Sequence, residues 1–150
     1  MKGIIMKKTT FVMVISALML VAFIGCSDDK NPVNPLVDFQ PEIVNNTDAF
    51  EFQATEVVEA SGVVMYDWEN TGSIASINHS SSTEAGSALV TVYDANNHQV
   101  YTSGLSASLN EQTQSGTSGL WRVRVDLSNY SGSLNFRLEK YEDTPAGNNQ

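Results

Sequence analysis

The chain has one cysteine, two histidines and few basic residues. Each scarcity excludes something. A lone Cys26 forbids any intramolecular disulfide. His79 and His98, with no second cysteine, supply no His-Glu-x-x-His or Cys-x-x-Cys set for zinc. The many serines include no Gly-x-Ser-x-Gly elbow. With no recognisable nucleophile or metal set, the expectation is a protein that is not an enzyme. From Cys26 onward the basic residues are Lys30, Arg122, Arg124, Arg137 and Lys140, against all 17 acidic ones, a net charge of −12. That balance argues against nucleic acid, which needs a basic stripe, and against electrostatic docking on anionic lipid. It suits an exported domain kept soluble by its charge. The run Phe11–Ile24 carries no charge, and it is shorter than the roughly 20 apolar residues of a membrane-spanning helix.

That run reads as the h-region of a signal peptide, preceded by the basic Lys2, Lys7 and Lys8. Met6 is an alternative start that would still leave Lys7 and Lys8. The run ends in Phe23-Ile24-Gly25-Cys26, which resembles the lipobox of bacterial lipoprotein signal peptides. The resemblance covers residues 1–26, with Phe23 where leucine is usual. It implies cleavage between Gly25 and Cys26, a signal peptide over 1–25, and a covalent lipid (palmitate among its chains) on Cys26. Each buried methylene contributes about 0.8 kcal/mol, and two or more chains anchor stably. The expected location is the bacterial cell envelope, most naturally the outer membrane at its periplasmic or surface face. Residues 26–37 read as the lipidated cysteine and a flexible tether, with Asp28, Asp29, Pro32 and Pro35. Residues 142–150 read as a disordered tail.

Residues 38–141 form one domain with period-two patterning and turn residues every eight to twelve positions. The size suits a single core without disulfides. Phe50, Phe52 and Ala54 alternate with polar residues, and Ser61-Gly62 breaks that strand. Val64, Tyr66 and Trp68 mark a second, and Ile74 to Asn78 a short third. Ser80 to Gly86 is a polar loop. Ala88 to Tyr93 and Gln99 to Thr102 flank a turn at Asp94-Ala95-Asn96-Asn97. Leu105 to Gln112 is a weak strand. Trp121, Val123, Val125 and Leu127 share an inward face, Ser128 to Gly132 turns, and Leu134, Phe136 and Leu138 face in. The expected fold is all-β: a single jelly-roll-like β-sandwich of about eight antiparallel strands. The Phe50-x-Phe52 opening, Leu89-Val-Thr-Val-Tyr-Asp94, and Gly119-x-Trp121-x-Val-x-Val125 followed by Leu134-x-Phe136-x-Leu138 carry a further resemblance. The layout resembles pre-peptidase C-terminal domains and jelly-roll carbohydrate-binding modules. That implies fold, and an accessory rather than catalytic role.

Two functions from different classes fit this pattern. One is a non-catalytic protein-interaction or structural module of the envelope, with an envelope protein as partner. The other is a carbohydrate-binding module. For glycan stacking, Trp68 and Trp121 are in phase with the core. Tyr130 in a turn, and Tyr93 and Tyr101 facing off-core, are the better candidates, although the last two also suit a cross-strand pair. Arg122, Arg124 and Arg137 share the outer face of the last hairpin. They suit either pairing with neighbouring acids or an acidic partner. No cofactor is expected. Asp94-x-Asn96-Asn97 has the beginning of a Ca²⁺ loop without its glycine and distal glutamate, and Asp67, Glu69 and Glu84 are a second candidate set.

Overall fold

Alternation of apolar and polar residues builds strands, and here two of the strands are unusually long. The computed structural model describes residues 34–142. Cys26, the tether through residue 33 and the tail from residue 143 lie outside the described residues. A short 3₁₀ turn, Val37–Phe39, precedes seven strands. These are β1 (Glu42–Asn46), β2 (Ala49–Asn70), β3 (Ala75–His79), β4 (Ser82–Tyr93), β5 (Gln99–Gly104), β6 (Leu109–Gln112) and β7 (Gly119–Lys140). All pairings are antiparallel. No described helix is long and apolar enough to cross a membrane.

β2 and β7 pair along their whole length, and each bends midway. Register shifts fall between Ala54 and Gly62 on β2, opposite Leu134 to Leu127 on β7. In an extended strand Phe50 and Tyr66 would lie roughly 50 Å apart. Their ring centroids are 5.7 Å apart. The strand therefore doubles back, and the sheet folds on itself into a sandwich. One layer has the order β1-β2-β7-β3-β6, using the first half of β2 and the second half of β7. The other has β2-β7-β4-β5, using the remaining halves.

The core lies between the layers. Phe50, Phe52, Trp68, Trp121, Tyr130, Phe136 and Leu138 are all buried. Phe52 stacks on Phe136 with centroids at 5.1 Å, and Trp68 meets Trp121 edge-on at 5.9 Å. The indole N–H groups are not stranded: Trp68 Nε1 donates to the Asn46 carbonyl and Trp121 Nε1 to that of Thr117. This is the condition under which tryptophan is buried cheaply.

The all-β sandwich is as the alternation implies, but the strand count is seven rather than eight. Ser61-Gly62 does not end a strand, and Ser128 to Gly132 is not a turn. Both are bulged bends within β2 and β7, with Gly62 and Gly132 each at φ +142°. The supposed last hairpin is thus one strand, whose halves belong to different layers. Ser80 to Gly86 is also mostly strand, since β4 begins at Ser82 and pairs with β7. β1 carries no inward apolar pattern and is exposed throughout. Leu36, within the segment that composition assigns to the tether, is fully buried.

Candidate functional site

Register decides which side chains share a surface. On the outer face of the β2-β7-β4-β5 layer, Asp67, Arg122 and Tyr93 lie in one row, and Met65, Arg124 and Thr91 in the next. Val63, Asp126 and Leu89 form a third. Met65 is 56% exposed, Leu89 41%, and Leu120, at the end of this face, 57%. Arg122 Nε lies 3.2 Å from Asp67 Oδ1. Arg124 is held by Asp126, whose carboxylate keeps the guanidinium pKa above its usual value. This face mixes apolar side chains with arginine, tyrosine and paired charge.

The outer face of the other layer is different in kind. Gln53 pairs with Asn135, and Glu51, Arg137, Asn78 and Asn110 form a row. Arg137 Nε is 3.1 Å from Glu51 Oε1, and Arg137 also bonds Glu139. Arg137 is therefore on the opposite side of the sandwich from Arg122 and Arg124. The three do not form one basic face, because the strand that carries them bends between the layers.

The tyrosines separate as well. Tyr93 is half-buried on the outer face beside Arg122. Tyr130 is fully buried, not in an exposed turn, and its hydroxyl lies 2.9 Å from the Ser82 carbonyl and 3.0 Å from that of Ser133. Tyr101 is turned inward by the bulge between Val92 and Tyr93, which buries both Val100 and Tyr101. An extra residue in a strand reverses the facing of the residues beyond it. Tyr101 thus pairs with Val92 rather than Tyr93. Among the described residues the three tyrosines form no exposed platform.

Tyr101 instead lines a groove of about 730 Å³ between β5 and β6, where the Gln114 N–H donates to the Val100 carbonyl of β5. Its hydroxyl donates to Glu111 Oε2 at 3.2 Å. Burial raises the pKa of this phenol. Gln99, Asn110, Gln112 and Gln114 line the same groove.

The Asp94 loop is a hairpin turn. Asn97 has φ 61° and its N–H donates to the Asp94 carbonyl. The Asp94 carboxylate accepts from the backbone N–H groups of Asn96, His98 and Thr117 at 2.8–3.0 Å. Both oxygens are spent on the protein's own backbone. Asp67 and Glu69 lie near one end of their layer, while Glu84 lies beyond the bend at the other. Among the described residues no group of three or more His, Cys, Asp or Glu could hold a metal ion. His98 is at the exposed turn, and His79 is buried in β3 within reach of the Glu111 charge.

No family model matches the chain, and no curated protein matches it. Among solved structures the chain is similar to part of the Glycosylation Associate Protein (Gap123) complex from Streptococcus agalactiae. The identity is 12% and the TM-score 0.37, over 69% of this chain and 40% of that one. The chain thus spans less than half the length of that structure's chain.

Proposed function

We propose that the mature chain is a lipid-anchored protein of the bacterial cell envelope, whose sandwich is a non-catalytic protein-interaction module. The lipobox-like Gly25-Cys26 and the charge-free run before it support the anchor, and the outer membrane is the location proposed for it. The outer face of the β2-β7-β4-β5 layer carries the interaction reading. Met65, Leu89 and Leu120 stand exposed there, beside Tyr93, Arg122 and Arg124. Methionine, tyrosine and arginine are enriched at protein interfaces. Both arginines are paired with carboxylates of the same face, Arg122 with Asp67 and Arg124 with Asp126.

The test is photo-crosslinking in cells, with the reactive group placed at residue 65 or, on the opposite face, at residue 53. Residue 65 should give a discrete protein adduct that Leu89→Asp abolishes. Residue 53 should not. Equal adducts from both positions, or none from residue 65, would overturn the docking face. The intact mass of the membrane fraction reads the anchor independently. A chain starting at Cys26 with added acyl mass, lost in Cys26→Ala, is the expected result.

A further inference from the structure

The open side of the sandwich lies where β5 and β6, edge strands of opposite layers, approach each other. β5 pairs only with β4, and β6 only with β3. The groove between them is lined by Gln99, Asn110, Gln112 and Gln114, with Tyr101 and Glu111 at its inner wall. Four carboxamides in one groove is a large concentration of groups that both donate and accept. Among the described residues none of these four side chains hydrogen-bonds another protein group, and all four residues are exposed. Glu111 is different. It accepts from Tyr101 through Oε2, which orients the carboxylate and leaves Oε1 to accept from elsewhere.

The lining also excludes ligand classes. No lysine or arginine borders the groove, so nothing there neutralises a phosphate or carboxylate. Val100 is its only aliphatic lining residue, so an apolar ligand would gain little buried area. Its volume falls within the usual range for small-molecule sites. The β5 edge is already bonded at the Val100 carbonyl by the Gln114 N–H, and peptide-strand addition draws specificity from pockets for alternate side chains. This polar groove has no such pocket. A neutral molecule dense in groups that donate and accept at once fits it.

We propose that the groove between β5 and β6 binds a neutral saccharide, its ring hydroxyls bonded by the carboxamides of Gln99, Asn110, Gln112 and Gln114 and by the Glu111 carboxylate. The site uses none of the residues of the proposed protein-docking face, and it does not depend on that reading. It also differs from an aromatic platform, since Tyr101 serves by orienting Glu111 rather than by offering its ring face.

The test is NMR on the full chain in detergent, following the side-chain NH₂ signals of asparagine and glutamine. The probes are cellotetraose, chitotetraose and maltotetraose, with tetragalacturonate and an extended threonine-rich peptide as competitors. At least one neutral tetrasaccharide should move the Gln112 and Gln114 signals saturably. Binding should weaken at least tenfold in the Gln112→Ala, Gln114→Ala double variant and also in Glu111→Gln. Unchanged methyl signals of Val90, Val125 and Leu138 would show that the variants fold. Three results would overturn the proposal: no neutral sugar moves these signals, the variants bind as well as wild type, or the anionic sugar or the peptide binds more tightly.

Discussion

Asp94 leaves β4 with its carboxylate turned back on the chain, accepting from three backbone N–H groups across two segments. These bonds, that from Thr117 first, hold its pKa below the ordinary 3.8. The unfolded chain therefore takes up this proton first as pH falls. Stability from Asp94 is complete above pH 3.8 and is lost as pH drops through the folded value. Asp94→Asn should lower the urea midpoint at pH 7 and flatten the loss of stability below pH 4. His79 titrates in a separate window. It is 2% exposed, and burial lowers its pKa from 6.5, opposed by smaller effects from Ala107 and Glu111. The unfolded histidine again takes the proton first, so stability is full above pH 6.5 and declines below it. His79→Leu should remove that decline while leaving the acid limb of Asp94 in place. Urea midpoints measured from pH 8 to pH 3 distinguish the two. A wild-type midpoint flat between pH 7 and pH 5 would show that His79 costs nothing to charge.

The bends in β2 and β7 are what turn one sheet into two layers, and each holds a glycine at positive φ (Gly62, Gly132) alongside Glu56, Glu59 and Asn129, which are also at positive φ. A Cβ at Gly132 would lie 2.0 Å from the Ser82 carbonyl oxygen, at a φ of +142° that side chains avoid. Gly132→Ala should cost about 3 kcal/mol, from strained backbone and overlap together. Gly104→Ala is the control. Its Cβ would meet nothing nearer than 3.9 Å, and it should be neutral or stabilise by about 0.5 kcal/mol. Equal costs at the two positions in urea unfolding would show that the bend is not built on Gly132. These bends were not legible in the sequence. Ser61-Gly62 and Ser128 to Gly132 have the composition of hairpin turns, and a bulged bend uses the same residues for the same reason, a positive φ. The inward faces were legible, because Phe50-x-Phe52, Trp121 to Leu127 and Leu134 to Leu138 keep period two on either side of each bend. β1 was hidden because an edge strand exposed throughout leaves no apolar stripe to read. Of the candidate site residues, Tyr93, Arg122 and Arg124 do share a surface. Tyr101 and Arg137 were misplaced by a bulge and a bend, which only the three-dimensional register reveals. The carboxamides of the β5–β6 groove gave no signal. They belong to segments separated in sequence, and polar residues on edge strands read as solvated surface.

At the scale of the molecule, both long strands contribute to both layers, so neither layer has a core of its own. Trp68 and Trp121 meet within one layer, while Phe50 and Phe52 reach across to Tyr66. The domain should therefore unfold in one step. Tryptophan fluorescence and far-ultraviolet circular dichroism should give superimposable urea transitions, and separated midpoints would mean that a layer survives alone. The surface pairs contribute little to that stability. Arg137 and Glu51 are each about half exposed, and an exposed pair is worth about 0–1 kcal/mol.

Leu36 has a mechanical consequence. Its side chain is fully buried, and Pro35 packs against Gly62 of β2. A pull on the chain ahead of Asn34 thus loads a side chain in the core before it loads any strand. Beyond Leu36 come the 3₁₀ turn, whose Phe39 also packs on the core, and then β1, whose outermost pair is Glu42 with Gln53 and whose turn lies at the far end. A hairpin pulled from its open end parts one pair at a time, at low force. The body of β2 is braced by β7 along its whole length and would feel tension only afterwards. The first strand therefore serves as slack in the line, spent before the folded body is strained.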